Sequence, residues 1–141
     1  MSEQNIELHR RTLEAFNARD VEAFLAFVDP SVEYHPVIAT IGGVTVYHGH
    51  EGIRSWFEDF EEVWGEVRVE PEAYFDLGER TLMFYRLQAR GRQSGAEVSM
   101  ELAMVVRWRE NLLVYSKVYT ERAEALSELG VSEDALEPIA P

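Results

Sequence analysis

The fold of this chain is constrained most by residues 98–121. They form two long strand-like runs that meet at a short turn around Glu110. Side chains of a strand alternate between the two faces of a sheet, so each run divides into two sets. In the first run, one set is wholly apolar and consists of Met100, Leu102, Met104, Val106 and Trp108. The other set is mixed and consists of Ser99, Glu101, Ala103, Val105 and Arg107. We therefore predict a long hairpin whose apolar face packs against helices around a cavity and whose mixed face meets solvent or another subunit.

Helices and strands are predicted for most of the remaining chain. The spacing of apolar residues indicates helices over residues 2–18, 21–28 and 49–64, with a short amphipathic helix at 122–130. Strands are predicted at residues 32–35, 44–48, 66–76, 80–90, 98–109 and 112–120. This order predicts an α+β fold, a curved antiparallel sheet packed on three N-terminal helices, with a short C-terminal helix and an internal apolar pocket.

Composition restricts the class of protein. The 141 residues are 46% hydrophobic, which predicts a single folded domain over 1–141, with an acidic tail at 131–141 that covers a surface or stays loose. The net charge of −13 argues against binding to nucleic acids or to anionic membranes. Without cysteine the chain has no disulfide, thiol nucleophile or thiolate metal site. Because neither a membrane-spanning run nor a signal-peptide core is visible, a cytoplasmic protein is expected.

Four short segments, spread over nearly the whole chain, are similar to a known family. They are FNARD at residues 16–20, DPSVE at 29–33, YHGHEGI at 47–53 and VYTERAEAL at 118–126. In order and spacing they resemble the SnoaL-like branch of the NTF2-like superfamily. The resemblance implies a curved sheet wrapped around helices, a pocket inside the cone, and pairing of two chains through the outer face of the sheet. The superfamily contains steroid isomerases, polyketide cyclases, epoxide hydrolases, dehydratases and non-catalytic binders, so the fold alone does not settle the function.

The catalytic positions of these relatives are only partly retained. By resemblance, Thr12 stands where steroid isomerases have a tyrosine, Tyr34 or His35 where they have the base, and Met104 where they have a protonated aspartate. None of these side chains matches, which argues against that mechanism. Relative to polyketide cyclases of the SnoaL type, Glu121 stands at the catalytic aspartate and Met104 at the assisting histidine. One of those two polar positions is therefore lost.

His35 and Glu121 are the candidate catalytic residues. His35 precedes a proline in the first strand, and a neutral imidazole suits proton transfer at physiological pH. The alternative is a histidine that only makes a hydrogen bond at the pocket rim. Glu121 could orient His35 or take the return proton; the alternative is a surface carboxylate at the start of a helix, next to Arg122.

The predicted pocket wall is rich in aromatic side chains. Its candidate residues are Tyr34, Tyr47, Trp56, Phe60, Met104, Trp108 and Tyr119. Tyrosines that point inward would offer hydroxyl groups to a ligand on otherwise apolar walls. The predicted partner is therefore a hydrophobic small molecule.

The segment His48-Gly49-His50-Glu51, together with His35, resembles a possible metal site. Two histidines beside a carboxylate are ligand types that zinc accepts. However, the segment matches the family's loop into the third helix, where glycine is kept for backbone reasons. We therefore predict neither a metal ion nor a cofactor.

Two classes of function remain open. One is an enzyme, an isomerase, cyclase or hydrolase that transfers protons on a hydrophobic small molecule. The other is a non-catalytic binder of such a molecule, or a dimerising accessory module. An inward-facing His35 or Glu121 with a perturbed pKa would favour the enzyme, and an entirely apolar pocket would favour the binder. A homodimer is expected because Ala103 and Val105 place apolar side chains on the face away from the helices.

Overall fold

The structure, a computed structural model, describes residues 2–36 and 46–141. Within these ranges the helices are α1 (Ser2–Asn17), α2 (Val21–Leu25), α3 (Gly49–Val63) and α4 (Arg122–Leu129), and a 3₁₀ turn covers Glu133–Ala135. The strands are β1 (Val28–His35), β2 (Tyr47–His48), β3 (Trp64–Leu77), β4 (Arg80–Gly91), β5 (Glu97–Arg109) and β6 (Leu112–Tyr119). The predicted α+β class is confirmed. None of the helices in these ranges has the length and apolar character needed to cross a bilayer.

The strands form one curved, unclosed sheet in the order β2-β1-β6-β5-β4-β3. Neighbouring strands are antiparallel, as predicted, except that β1 runs parallel to β6. A parallel pair needs a long connection between its strands, and here β2 to β5 and the helix α3 lie between β1 and β6 in the chain. The parallel pair joins β1 and β2 to the antiparallel strands β3 to β6.

Several predicted boundaries differ from the structure; for example, α2 ends at Leu25 rather than at residue 28. Strand β1 begins at Val28 rather than at residue 32, because Val28 already pairs with Leu113 before a register shift in the β1–β6 ladder. Strand β3 is not interrupted at Pro71. A register shift after Pro71 accommodates the proline, which has no N–H group to donate to the ladder. The predicted bend at residues 41–43 and most of the predicted strand at 44–48 lie outside the described residues.

The two faces of the sheet pack against different helices. The inner face packs against α1, α2 and α3, and the outer face packs against α4. Leu102, Val106 and Trp108 are buried on the inner face, with Met100 and Met104 partly buried beside them. The charged residues of the opposite set, Glu101 and Arg107, are exposed. The alternation predicted for β5 is confirmed.

The outer face carries a second apolar cluster, which the chain covers itself. Ala103 and Val105 are 0% and 5% exposed and pack in one cluster with Ala125 and Leu129 of α4. The expectation that Ala103 and Val105 leave apolar surface for a second subunit is therefore wrong, because α4 occupies that surface. The homodimer itself stays a prediction that rests on the family resemblance.

The C-terminal tail is packed against the domain. Gly130 ends α4 in the left-handed conformation, with φ of 69°, which a residue without a side chain adopts at little cost. Further on, Ile139 exchanges backbone hydrogen bonds of 2.9 and 2.7 Å with Tyr74 of β3. The guanidinium of Arg10 in α1 donates to the carbonyl of Ala140 at 2.7 Å. These contacts hold the end of the 131–141 tail against β3 and α1.

Candidate ligand-binding cavity

A cavity lies between the inner face of the sheet and helices α1 to α3. Its volume is ≈ 50 Å³ for the centres of water-sized spheres. The lining side chains are His9, Thr12, Leu13, Phe16, Phe24, Tyr34, Pro36, Trp56, Phe60, Val69, Met83, Tyr85, Leu87, Met104, Val106, Leu113 and Val118. Among these lining residues there is no aspartate, glutamate, lysine or arginine. The cavity is therefore apolar apart from a few uncharged polar groups.

An aromatic cluster forms the helical wall of the cavity. Ile53, Trp56, Phe57 and Phe60 follow the spacing of one buried helix face in α3. Trp56 stacks on Phe16 of α1, with ring centroids 5.2 Å apart and planes 14° apart, and meets Tyr34 of β1 at 4.6 Å. Interlocked rings lose little conformational entropy on binding, so this wall is a preformed surface for a flat apolar group.

Two buried tyrosines supply hydroxyl groups. Tyr34 lies on β1 and Tyr85 on β4, and both side chains line the cavity. Burial raises the pKa of Tyr34 well above its ordinary value. Burial also raises the pKa of Tyr85, and the proximity of Tyr34 adds to the shift. Both side chains therefore stay protonated at physiological pH and can donate hydrogen bonds.

His9 is the only histidine on the described cavity wall, and α1 holds it in place. Its Nδ1 lies 2.8 Å from Oγ1 of Thr81 on β4. The same Oγ1 accepts a hydrogen bond of 2.9 Å from the indole Nε1 of Trp108 on β5. His9 is 2% exposed, and burial lowers its pKa to about 3, so the imidazole is uncharged at neutral pH.

Two nitrogens of the cavity wall are buried without a partner. Neither Nε2 of His9 nor Nε1 of Trp56 has a hydrogen-bond partner within the described part of the chain. A buried polar atom without a partner costs on the order of 1–3 kcal/mol. A ligand that brings a hydrogen-bond acceptor would recover part of that cost.

The structure brings only part of the predicted pocket wall together. Tyr34, Trp56, Phe60 and Met104 line the cavity. Trp108 is not on its lining but supports His9 through Thr81.

Two other tyrosines of the predicted wall lie elsewhere. The hydroxyl of Tyr47 donates to Oδ2 of Asp59 at 2.7 Å and so ties β2 to α3. Tyr119 belongs to the outer cluster under α4. Neither side chain lines the cavity among the residues that the structure describes.

His35 and Glu121 both lie away from the cavity lining. Because Tyr34 points inward on β1, strand alternation turns its neighbour His35 to the outer face. There Nε2 of His35 lies 2.7 Å from Oε2 of Glu33, and its ring lies 5.4 Å from that of Tyr115. Glu121 is exposed just before α4, and its side chain makes no capping hydrogen bond.

His48 of β2 and His50 of α3 lie in structural contacts with β1. Nε2 of His50 lies 2.8 Å from the carbonyl oxygen of Val28 and so links α3 to β1. His48 is exposed and pairs with Glu33 across the β1–β2 ladder. Over residues 2–36 and 46–141, no group of three or more potential metal ligands comes together.

Sequence reasoning missed His9 as a cavity residue and Thr81 as its hydrogen-bond partner, and it considered Tyr85 only as one of five strand tyrosines that could point inward. The helical spacing of Ile6, His9, Leu13 and Phe16 places His9 on the buried face of α1 and could have identified it. Thr81 and Tyr85 lie four residues apart on β4 and therefore on one face of it. Only the three-dimensional packing brings them opposite α1.

Comparison with known proteins identifies a family for most of the chain. The sequence profile of the SnoaL-like domain matches residues 9–116. No curated protein matched the chain. The matched range contains every side chain of the cavity wall described above except Val118.

Similar solved structures share the fold. An NTF2-like protein of unknown function from Burkholderia pseudomallei superposes with a TM-score of 0.76 and 23% identity, over 88% of this chain and 95% of that one. TerC, co-crystallized with polyporic acid, gives 0.75 and 23%, over 89% and 97%. A proposed SnoaL-like polyketide cyclase from a Jannaschia species gives 0.72 and 13%, over 89% and 91%. At these identities the likeness concerns the fold alone.

Proposed function

The chain belongs to the SnoaL-like domain family, and from that premise we propose that it binds a small, uncharged, largely apolar molecule in the cavity between α1–α3 and the sheet. The observation that carries this proposal is the composition of the wall. Every described lining side chain is uncharged at neutral pH, including His9, whose pKa burial lowers to about 3. A charged ligand would lose its hydration without gaining an opposite charge, so the cavity selects against ions.

The size of the cavity limits the ligand. A water molecule needs about 10–15 Å³ of this kind of volume, so the ≈ 50 Å³ present holds a few waters or a small planar group. Met83 and Met104 stand on the wall, and unbranched methionine side chains adapt easily to a new shape. A ligand the size of one substituted aromatic ring would enter by displacing these two side chains.

Similar structures support a small organic ligand. TerC has been crystallized with polyporic acid, and the Jannaschia relative is a proposed polyketide cyclase. Both superpose on the present chain over at least 89% of its length. The relatives thus favour an organic ligand, and the wall of this cavity favours one that is mostly apolar.

Binding without catalysis is the better-supported form of this function. Proton abstraction needs a base that is unprotonated and basic enough at the working pH. The titratable groups of the described wall are His9, held neutral with a pKa of about 3, and the protonated tyrosines Tyr34 and Tyr85. None of them is such a base. Neither His35 nor Glu121 lines the cavity. Their catalytic roles stay predictions.

Calorimetric titration with acetophenone tests the proposal. The probe has one aromatic ring for the wall and one uncharged oxygen. We expect saturable binding to the wild-type protein and none to Val118→Phe, whose larger side chain fills the cavity from β6. Val98→Phe is the matched control, because Val98 lies near the start of β5 and does not line the cavity.

Both phenylalanine variants are first checked for cooperative thermal unfolding. Binding that survives Val118→Phe unchanged would place the site elsewhere. No binding to the folded wild-type protein at millimolar probe would refute the proposal for this ligand class.

A further inference from the structure

The polar groups of the cavity wall differ in what they can offer a ligand. An indole N–H only donates, so Trp56 offers a donor. The tyrosine hydroxyls keep their protons and can donate as well. Whether His9 donates or accepts depends on which ring nitrogen carries the proton, and the hydrogen bonds around Thr81 decide this.

Proton counting assigns the tautomer of His9. Trp108 Nε1 can only donate, so Oγ1 of Thr81 must accept from it. The hydroxyl proton of Thr81 then needs an acceptor. Within the described residues the remaining side-chain partner of Oγ1 is Nδ1 of His9, at 2.8 Å. Nδ1 therefore accepts that proton, and the neutral imidazole carries its own hydrogen on Nε2.

The alternative tautomer would leave two buried groups without a partner, whereas the assigned tautomer leaves only Nε2–H of His9. If Nδ1 of His9 donated to Thr81, the Thr81 oxygen would accept two hydrogen bonds and its own proton would have no described acceptor. The lone pair on Nε2 of His9 would also have no described donor. Thr81 is 0% exposed, so water cannot take that proton from outside. An unsatisfied buried donor of this kind costs on the order of 1–3 kcal/mol.

Resting on the proposed function, we propose that Nε2–H of His9 donates a hydrogen bond to an acceptor oxygen of the ligand, so that the cavity selects uncharged carbonyl compounds, such as ketones and quinones, over hydrocarbons of the same shape. The Trp108–Thr81–His9 chain acts as the positioning device, because it fixes the proton on Nε2. The buried Nε2 then gains the partner that it lacks within residues 2–36 and 46–141. The same assignment means that His9 cannot act as a base through Nε2.

The tautomer can be measured without any ligand. Nitrogen-15 spectra of histidine-labelled protein distinguish a protonated ring nitrogen from an unprotonated one. In the wild-type protein at pH 7 we expect His9 to show Nε2 protonated and Nδ1 unprotonated. Thr81→Ser keeps the hydroxyl and should keep this pattern, whereas Thr81→Val removes it and should shift His9 toward a mixture of tautomers.

The ligand preference is measured with two probes of one shape. In acetophenone the carbonyl oxygen replaces the terminal CH₂ group of α-methylstyrene. One net hydrogen bond in a buried site corresponds to roughly 2–10-fold in affinity, so acetophenone should bind the wild-type protein tighter by about that factor. In His9→Phe, verified as folded, the two probes should bind equally.

The outcomes separate the two proposals. If neither probe binds, the proposed function fails and the ligand preference fails with it. If both bind equally to the wild-type protein, the cavity is a binding site and the role of His9 is refuted. A spectrum with the proton on Nδ1 of His9 overturns the tautomer whatever the probes do. Tighter acetophenone binding that persists in His9→Phe would assign the acceptor contact to another donor.

Discussion

Arg122, the first residue of α4, lies over the ring of Phe84, with 4.6 Å from its guanidinium carbon to the ring centroid. The same guanidinium donates to the carbonyls of Leu102 and Tyr85, at 3.3 and 3.2 Å, and pairs with Glu72. Leu102 and Tyr85 are direct partners in the β4–β5 ladder. One side chain thereby joins α4 to the centre of the outer face and to β3.

Replacing Arg122 with alanine should detach α4 in part. We expect the free energy of unfolding in urea to fall by about 1–3 kcal/mol, because hydrogen bonds from a charged, half-buried group are lost together with packing on Phe84. Arg86→Ala is the matched control. Arg86 pairs with Glu101 on the exposed surface, so its loss should cost less than about 1 kcal/mol. Equal costs for both variants would contradict the anchoring role.

Trp108 should be among the residues that matter most for stability. It is 3% exposed on the inner face, and truncation to alanine should cost on the order of 3–5 kcal/mol in a urea titration. Trp108→Phe keeps most of the ring and loses the hydrogen bond to Thr81, so it should cost clearly less. A loss below about 1 kcal/mol for the alanine variant would not fit a buried indole.

His9 should make stability depend on pH below about pH 6.5, its ordinary pKa. Burial lowers the pKa in the folded protein to about 3, so between these values the unfolded chain binds a proton that the folded chain does not. Stability therefore falls as the pH falls through this window, by up to about 1.4 kcal/mol per pH unit from this group. Above pH 6.5 both states are neutral at His9, and the contribution vanishes.

His9→Gln isolates that effect. Urea unfolding of the wild-type protein and the variant at pH 8, 6, 5 and 4 should give a difference that changes in favour of the variant as the pH falls. Asp29 and Glu33, whose pKa values their hydrogen bonds lower, contribute equally in both proteins. A difference that stays constant over this range would show that His9 is not held neutral.

The homodimer predicted from the family resemblance is open to a direct measurement. Light scattering at micromolar concentration should give about twice the chain mass of 16.2 kDa, and a value near 16.2 kDa would rule the dimer out. Because Ala103 packs under α4, Ala103→Glu should destabilise the fold by burying an unpaired charge. If that variant stayed fully stable and only changed the mass, Ala103 would be an interface residue after all.

Local patterns predicted much of the fold, and the misses have physical causes. Period-two alternation identified both faces of β5, and the spacing of Trp56 and Phe60 identified the buried face of α3. The covering of Ala103 by α4 depends on how two distant segments meet, which no local pattern encodes. Likewise, Thr81 holds the cavity residue His9 in place only through its hydrogen bonds to His9 of α1 and Trp108 of β5.

The sequence predicts a cavity residue on a strand only where it also predicts which face of the sheet that residue occupies. Tyr34 and Met104 were placed on the cavity by alternation and family position together. The family position left a one-residue ambiguity between Tyr34 and His35, and adjacent strand residues point to opposite faces. Burial of Tyr34 resolves it, because His35 then lies beside Glu33 on the outer face.

The position of the bound probe shows directly whether the ligand occupies the cavity between α1–α3 and the sheet. Nuclear Overhauser contacts are measured between acetophenone and the labelled methyl groups of methionine, together with the ring protons of His9 and His35. We expect contacts from the probe to Met83, Met104 and His9, and none to His35. Contacts to His35 on the outer face, without contacts to the two methionines, would contradict binding in this cavity.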